Sequence, residues 1–327
     1  EYMSKGFSYS RAGNPTVLAL EKKITDLEGG HDTTCFSTGM AAVQAVLMTF
    51  LNAGDHLVVS DVAYGGTYRF CTKVLSRFGV DMTFADTANP DAVRAAMKPN
   101  TRMIFSETPA NPTMKLSDIA ALSDCARAAG ALHCVDNTFL TPYYQRPLEL
   151  GADLSLHSTT KYMDGHNATV GGSVTAAAQE HAEAMRFMQK TAGTIMSPQV
   201  AWLTMQGCKT LSIRMDQQSA NAQAIAEYLE AHPKVNQVAY PGLPSFSQYE
   251  LACRQASGFG AMLWFEVKGG VAAGKRLMDN VELWTLAENL GSVESLITHP
   301  VTMTHADVEP EERARVGIID GLVRLSV

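Results

Sequence analysis

Short apolar runs and amphipathic stretches alternate along the first two-thirds of the chain. The apolar runs, which predict buried strands, occupy positions 56–60, 102–106, 132–135, 154–157 and 170–175. The amphipathic stretches between them predict helices at 39–51, 68–78, 90–97 and 116–129. Strand, helix and strand repeated in this order predict an α/β fold, with a mostly parallel central sheet that carries helices on both faces.

The pattern changes after Gly207. The elements predicted beyond this point are a long helix, two strands, a helix and a last strand, at 210–231, 235–240, 261–267, 271–278 and 322–327. We therefore expect a large domain at 1–209 and a smaller C-terminal α+β domain at 210–327. The chain begins at Glu1 rather than at a methionine and ends inside a predicted strand, so we expect the natural protein to be longer.

Composition and charge exclude several classes of protein. The chain has 327 residues, of which 46% are hydrophobic and 18% are charged, as in ordinary globular proteins. Its formal net charge of -7 gives no basic field for nucleic acid or for an anionic membrane. No apolar run approaches the roughly 20 residues that a membrane span needs. The six cysteines are dispersed without a C-x-x-C pair, which predicts reduced thiols in a cytoplasmic protein and no metal site.

Two functional groups stand at the carboxyl ends of predicted strands. Lys161 follows the run 154–157, with Ser158 and Thr160 before it, and Asp136 ends the run 132–135. Ligands of parallel sheets bind beyond the carboxyl ends of the strands, so we expect both side chains in one site. Pyridoxal phosphate (PLP) needs such a pair, because a lysine amine bonds to its aldehyde and an acid keeps its pyridine nitrogen protonated. Taken alone, Lys161 would be interpreted as a surface lysine.

A phosphate site is predicted where the first helical stretch begins. The segment Ser37-Thr38-Gly39-Met40 is a loop that leads into this helix. Gly39 allows the backbone to come close to a ligand, and the free amide groups of a helix N-terminus attract phosphate. The hydroxyl groups of Ser158 and Thr160 are candidate further donors. By itself, such a segment more often only caps a helix.

Several separate motifs occur in the order that one known family shows. They lie at 9–16 (Y-S-R-A-G-N-P-T), 37–42, 61–68, 107–112 (E-T-P-A-N-P), 158–161 and 287–296, with an arginine in the final R-L-S-V. From Tyr9 to Arg324, the chain resembles the Cys/Met-metabolism family of PLP-dependent trans-sulfuration enzymes. The resemblance implies PLP fold type I, which is aspartate-aminotransferase-like, and a homotetramer made of two dimers.

The resemblance also implies roles for single residues around the cofactor. Tyr9 and Arg11 would reach the PLP phosphate of a neighbouring subunit, so that the active site is shared and a monomer is inactive. The backbone amides of Gly39 and Met40 would bind the phosphate. Tyr64 would stack on the pyridine ring and take part in proton transfer.

The remaining cofactor contacts implied by the resemblance involve three residues. Asn111 would donate to the phenolic oxygen of the ring, and Asp136 would pair with the ring nitrogen. Lys161 would carry the cofactor and act as the catalytic base. The purely structural alternatives are an Asn-Pro turn for Asn111 and a helix N-cap for Asp136.

Substrate contacts are implied near the C-terminus. Arg324 would clamp the α-carboxylate of an amino-acid substrate, and Glu288 would engage the distal amino group of cystathionine. Asn289, a further substrate-binding residue, and Ser292 would both lie beside the substrate. They depart from the usual serine and glycine of the family, which leaves fine specificity open. Gly66 stands where methionine γ-lyases typically carry a cysteine. A further departure is G-H-N-A-T-V at 165–170, where many relatives have G-H-S-D-V.

These residues favour one activity and leave others open. We expect α,γ-elimination of L-cystathionine to L-cysteine, 2-oxobutyrate and ammonia, which is cystathionine γ-lyase activity. The alternatives are cystathionine γ-synthase, which makes a γ-replacement on an acylated homoserine, and then cystathionine β-lyase or methionine γ-lyase. An idle scaffold of the same fold is the non-enzyme alternative. A Rossmann-type nucleotide binder is disfavoured, because no G-x-G-x-x-G follows the early strands.

Overall fold

A seven-stranded sheet forms the centre of the molecule, for which a computed structural model describes residues 6–304, 306 and 309–327. The strands are β1 (Asp32–Phe36), β2 (His56–Ser60), β3 (Asp81–Ala85), β4 (Thr101–Glu107), β5 (Leu132–Asp136), β6 (Leu154–His157) and β7 (Gly172–Ala176). Their order across the sheet is β1-β7-β6-β5-β4-β2-β3. Strands β2 to β6 pair in parallel, whereas β7 runs antiparallel to both β6 and β1. The prediction of a mostly parallel sheet is confirmed.

Helices cover both faces of this sheet. They are α1 (Pro15–Glu28), α2 (Gly39–Phe50), α3 (Gly65–Lys73), α4 (Pro90–Ala96), α5 (Ile119–Ala128), α6 (Thr141–Tyr144), α7 (Gln179–Ala192) and α8 (Pro198–Lys209). Side chains of α2, α3 and α7 share a buried cluster with Val59 and Phe105. On the other face, α4 and α5 pack on Val58 and Ile104, and α1 and α8 pack on β1. Since successive strand residues point to opposite faces, a sheet covered on both sides buries consecutive residues of its central strands.

A second sheet of five strands follows in the C-terminal part of the chain. Its strands are β8 (Val235–Ala239), β9 (Met262–Val267), β10 (Thr285–Leu286), β11 (Leu296–Thr298) and β12 (Leu322–Ser326), in the order β10-β11-β12-β9-β8. The helices of this part are α9 (Leu211–Glu230), α10 (Tyr249–Gln255), α11 (Gly270–Met278) and α12 (Pro310–Arg315). Strand β12 is the middle strand and runs antiparallel to both of its neighbours.

The two sheets share part of their hydrophobic core. One buried cluster contains Met114 and Tyr162 from the first part of the chain and Leu211, Trp264 and Leu322 from the second. The Trp264 indole Nε1 donates to the Thr113 carbonyl oxygen at 2.8 Å. Residues near the carboxyl ends of the parallel strands in the first sheet are therefore packed against the second sheet. The domain boundary at 209/210 stays a prediction.

The sequence pattern missed strands β1, β3, β10 and β11, and polar content explains the case of β1. Strand β1 has the sequence D-T-T-C-F, in which polar residues outnumber apolar ones, although its last four residues are buried. The buried Thr33 hydroxyl is paired with the Thr175 hydroxyl on β7 at 2.8 Å. A hydrogen-bonded threonine can occupy a buried sheet position without an apolar signal in the sequence.

His133 should make the protein sensitive to acid. Its ring is buried, with Nε2 2.8 Å from the Ser106 hydroxyl and Nδ1 2.8 Å from the Ser123 hydroxyl. Burial lowers the pKa of His133 to about 3. The unfolded chain takes up this proton near the ordinary histidine pKa of about 6.5, so the unfolded state binds more protons between the two values. We expect the free energy of unfolding to fall by up to about 1.4 kcal/mol per pH unit as the pH drops through this window.

Urea unfolding of wild type and His133→Asn across this pH window measures the effect. The variant lacks the titrating ring, so its free energy of unfolding should depend less steeply on pH. Equal slopes for the two proteins would contradict the prediction.

No helix within residues 6–304, 306 and 309–327 combines the length and the apolar character that crossing a bilayer requires.

Candidate active site

A cavity of about 540 Å³ opens at the carboxyl ends of β4, β5 and β6. Segments of the second sheet and of its loops close it on another side, through Glu288, Leu290, Met303, Thr304 and Arg324. The predicted site residues that line the cavity are Gly39, Met40, Tyr64, Asn111, Asp136, Ser158, Thr160, Lys161, Glu288 and Arg324. Residues more than 280 positions apart in the chain thus face one volume.

Lys161 lies in the turn after β6, where its amine is mostly shielded from water. Its Nζ donates to the side-chain oxygen Oδ1 of Asn289. Burial, together with the nearby positive charge of Arg324, lowers the pKa of Lys161 to about 8. The neutral fraction of the amine near physiological pH is therefore much larger than in an ordinary lysine, whose pKa is about 10.4. A neutral amine can act as a nucleophile or as a base, which an ordinary surface lysine cannot do at this pH.

Asp136 ends β5 and faces the same cavity. Its Oδ1 accepts from both the backbone N–H, at 3.1 Å, and the hydroxyl of Thr138. The Thr138 hydroxyl oxygen in turn accepts from the Ser158 N–H at 2.9 Å, which joins the ends of β5 and β6. Burial raises the pKa of Asp136, because the carboxylate is desolvated. A cation bound against Asp136 would offset this cost, so the site suits a protonated ring nitrogen.

Glu107 was missed as a functional residue by the sequence analysis. It is buried at the end of β4, where Oε2 accepts from the Tyr64 N–H at 2.8 Å and Oε1 accepts from the Asn111 N–H at 3.0 Å. Burial, together with the neighbouring Asp136, raises the pKa of Glu107 to about 8. One side chain thereby holds the two segments that carry Tyr64 and Asn111. The sequence signal that could have identified Glu107 is a charged residue at the end of a predicted buried strand.

The start of α2 forms the candidate phosphate cradle. Thr38 caps the helix, its hydroxyl accepting from the Ala41 N–H at 2.8 Å. A Cβ atom at Gly39 would lie 2.9 Å from both Cβ and Oγ of Ser158, so only glycine allows this close approach. The first amide groups of a helix have no partner within it and can bind an anion. Thr160 also lines the cavity, but its hydroxyl is already bonded to the Gly171 backbone.

Arg324 lies on β12 and is almost completely buried. Its Nη1 donates to Asn111 Oδ1 at 2.9 Å, and its Nη2 donates to the Asn289 carbonyl oxygen at 2.9 Å and to the Thr298 hydroxyl at 3.0 Å. Because Asn111 Oδ1 faces the guanidinium, its amide nitrogen remains a donor for a ligand. Burial lowers the pKa of Arg324 to about 10, which leaves it charged at physiological pH.

Tyr9 and Arg11 are not brought to this cavity. Tyr9 is 57% exposed, and the Arg11 guanidinium lies 5.0 Å from its ring centroid. Arg11 also donates to the Lys190 carbonyl oxygen at the end of α7. Arg69, on α3, is a cavity-lining residue that the sequence analysis did not select.

Comparison with known proteins assigns the chain to a family. The family model described as Cys/Met metabolism PLP-dependent enzyme matches residues 1–327. The chain belongs to this family. The resemblance stated from its motifs and the use of PLP are thereby confirmed.

Three curated relatives of this Cys/Met metabolism enzyme are equally similar to it and carry different names. It is 49% identical over 322 residues to cystathionine gamma-lyase of Bacillus subtilis (98% of this chain, 84% of the relative). It is 49% identical over 328 residues to L-methionine gamma-lyase of Treponema denticola (99% and 81%). It is 49% identical over 323 residues to cystathionine beta-lyase of Lactococcus lactis subsp. cremoris (99% and 84%). The family acts on carbon–sulfur bonds, and identity alone does not select one reaction.

The fold of this Cys/Met metabolism enzyme also matches a solved structure. The crystal structure of cystathionine gamma-lyase from Lactobacillus plantarum, complexed with L-serine, superposes with a TM-score of 0.94 at 42% sequence identity. The match covers 98% of this chain and 83% of that one. PLP fold type I, with its second smaller sheet, is confirmed.

The residues around the cavity fit PLP. A Cβ at Gly39 would clash with Ser158 at the phosphate cradle, the desolvated carboxylate of Asp136 faces the cavity, and Lys161 offers an amine with a lowered pKa. When bound, PLP supplies an electron-accepting ring that stores the charge released at the substrate Cα. The side chains that would hold it are those of Ser158, Asp136, Asn111, Tyr64 and Lys161.

Proposed function

We propose that this enzyme is a cystathionine γ-lyase. The observation that carries the proposal is Glu288, which lines the same cavity as Arg324 and whose charge raises the pKa of Arg324. L-Cystathionine has an α-carboxylate that Arg324 can bind and, at its other end, an ammonium group that Glu288 can bind. Two opposite charges on one cavity wall thus match the two ends of this substrate.

A second observation disfavours methionine γ-lyase activity. A Cβ atom at Gly66 would lie 2.5 Å from Cε1 of the Tyr64 ring and 2.7 Å from the Met40 sulfur. The cysteine that methionine γ-lyases typically carry at this position would therefore displace the Tyr64 ring or Met40. The packing around Gly66 suits a site built without that thiol.

The reaction requires proton transfers that the chain's own residues can perform. Arg324 holds the α-carboxylate, and Asn111 is held in place by Arg324 and Glu107. The neutral Lys161 amine removes the Cα proton and gives it up within the site, which makes the amine neutral again. It then removes the Cβ proton and passes that proton to the departing sulfur. The sulfur leaves Cγ as the thiol of L-cysteine. Addition of one water to the four-carbon remainder yields 2-oxobutyrate and ammonia, which balances the equation.

Cystathionine γ-synthase activity is the second candidate, because the motifs of the two enzymes are nearly the same. Product analysis with purified holoenzyme and L-cystathionine separates the possibilities. The expected products are L-cysteine and 2-oxobutyrate, with the Lys161→Ala variant as the blank. Pyruvate with homocysteine would identify a β-lyase instead. No cleavage, but condensation of an acylated homoserine with cysteine, would identify a synthase.

The exposed N-terminal motif supports a shared active site. We propose that Tyr9 and Arg11 bind the PLP phosphate of a neighbouring subunit within a dimer, and that two dimers form a cytoplasmic homotetramer. Both side chains lie outside their own cavity, and their cationic and hydroxyl groups suit a phosphate. All six cysteines, which lie within the described residues, are free, as suits a reducing compartment.

Complementation between two inactive variants tests the shared site. Arg11→Ala and Lys161→Ala subunits carrying different tags are co-expressed, and the mixed dimer is purified. In it, Lys161 of one subunit meets Arg11 of the other in one of the two sites. We therefore expect about half of the wild-type activity per dimer. Each variant purified alone is the control, and a mixed dimer as inactive as its parents would contradict the shared site.

A further inference from the structure

Two asparagines that depart from the family motifs contact each other beside the catalytic lysine. Asn167 stands in the G-H-N-A-T-V segment and Asn289 in the E-N-L-G segment. The side-chain Nδ2 of Asn289 donates to Oδ1 of Asn167 at 2.6 Å. Two changes that the motifs present as separate thus form one structural unit.

The hydrogen bonds of this unit have a fixed direction. Nδ2 of Asn167 donates to Oε2 of Glu294 at 2.8 Å, and Nζ of Lys161 donates to Oδ1 of Asn289. An ionised carboxylate can only accept, so Glu294 requires Asn167 to present its NH₂ group outward. The Asn167 oxygen is then left to accept from Asn289. The Asn289 oxygen is in turn left to face Lys161.

The direction of the last bond matters for the chemistry of Lys161. A neutral amine that donates to an oxygen keeps its lone pair free to take a proton. If the Asn289 amide were reversed, its NH₂ group would donate to this lone pair and occupy it. The orientation of Asn289 therefore decides whether Lys161 is ready to act as a base.

The backbone holds the two segments together independently of these side chains. The Val293 N–H donates to the Gly165 carbonyl oxygen at 2.9 Å. A Cβ atom at Gly291 would lie 2.9 Å from the Tyr162 nitrogen, so the loop packs directly on the turn that carries Lys161. Asn167 itself has a positive φ of 53°, a conformation that asparagine and glycine tolerate.

We propose that Glu294, Asn167 and Asn289 form a polar relay that positions the ε-amine of Lys161 for proton transfer. The expected effect of the relay on turnover rests on the proposed function. Its expected effect on Lys161 rests on the geometry alone. Asn289 also accepts from Arg324 through its carbonyl oxygen at 2.9 Å. The residue thereby sets the amine and the carboxylate clamp relative to each other.

Removing the middle of the relay is the first test. Asn167→Gly deletes the side chain while glycine keeps the positive φ without strain. Since Asn167 and Glu294 are exposed to water, we expect a moderate effect, with kcat lowered about 3- to 10-fold and KM changed less than about twofold. Glu294→Ala should have the same effect. Unchanged kcat in either variant would overturn the relay.

A rescue experiment separates the relay from a general structural role. In the double variant Asn167→Asp with Glu294→Ala, the new carboxylate accepts from Asn289 directly and needs no outer anchor. Aspartate also tolerates a positive φ. We expect kcat to return to within about twofold of wild type. Failure of this rescue in a protein with a wild-type melting temperature would overturn the proposal.

Asn289 provides the coupling test. Asn289→Ser restores the usual family residue and should disconnect Asn167 from Lys161. Adding Asn167→Gly to Asn289→Ser should therefore cause no further loss of kcat. Losses that multiply in the double variant would show independent effects and would refute the relay.

A spectroscopic readout needs no substrate. The visible absorbance band of the bound cofactor titrates with the proton on Nζ of Lys161, which an acceptor oxygen favours. We expect the midpoint of this titration to move to lower pH in Asn167→Gly and to return to the wild-type value in the rescue variant. Arg324 is retained in all of these variants. An unmoved midpoint in Asn167→Gly would overturn the relay. Because this measurement involves no reaction, it remains valid if product analysis rejects γ-lyase activity.

Discussion

Replacing Lys161 by alanine should abolish turnover of L-cystathionine. The amine is the basic group in the cavity whose pKa burial lowers to about 8, and it lies in the turn directly after β6. A base within hydrogen-bond reach contributes about 100- to 10,000-fold to a proton transfer. We therefore expect kcat to fall by about this factor, together with loss of covalent attachment of PLP. Release of 2-oxobutyrate over time and peptide mass mapping after borohydride reduction measure the two effects.

The surface residue Lys22 supplies the matched control. Its side chain is 78% exposed and pairs with Asp26 on α1, away from the cavity. Lys22→Ala removes an identical amine and should keep wild-type kcat. Near-normal turnover in Lys161→Ala, or a reduced label attached to another lysine, would remove the basis for the proposed chemistry.

Replacing Asp136 by asparagine should have the second-largest effect. Asparagine keeps the shape of the side chain and the Oδ1 acceptor for Thr138, so the local fold is preserved. What is lost is the negative charge that keeps a ring nitrogen protonated against it. Removing one preorganised electrostatic contact of this kind costs about 100- to 1,000-fold in kcat. We expect such a loss in steady-state assays, and weaker PLP binding in titrations of the cofactor-free protein.

Asp153→Asn is the control for the loss of one carboxylate charge. Asp153 lies just before β6, at the opposite end of the strands, where its carboxylate accepts from the His133 N–H at 2.8 Å. Asparagine can keep this acceptor. The control should retain kcat within about twofold, because the removed charge is far from the cavity. Equal losses in Asp136→Asn and Asp153→Asn would indicate a general effect on stability rather than an effect on the cofactor.

The sequence predicted the sheet and the position of the site because both depend on local signals. Strands β2 (H-L-V-V-S) and β6 (L-S-L-H) are buried throughout, and they begin and end where the pattern predicts. Lys161 and Asp136 follow such runs directly, so the rule for parallel sheets brings them together. The family motifs then supplied residues that no periodicity could indicate, such as Arg324.

Other features could not be predicted because they depend on contacts between distant segments. Asn167 and Asn289 are 122 positions apart, and each was visible only as an unexplained departure from a motif. Glu107 lay inside a quoted motif, but its role follows from two backbone N–H groups that only the fold places beside it. The hidden strand β1 depends on a threonine pair across two strands.

The way both sheets close one cavity also constrains how such enzymes can be recombined. A chimera that joins the first 209 residues of this chain to the C-terminal part of a relative would separate Asn167 from Asn289, and Asn111 from Arg324. Each half of the chimera would then present a hydrogen-bonding side chain to a residue that evolved in the other protein. Exchanges designed around this crossover should therefore transfer positions 111, 167, 289, 294 and 324 as one block.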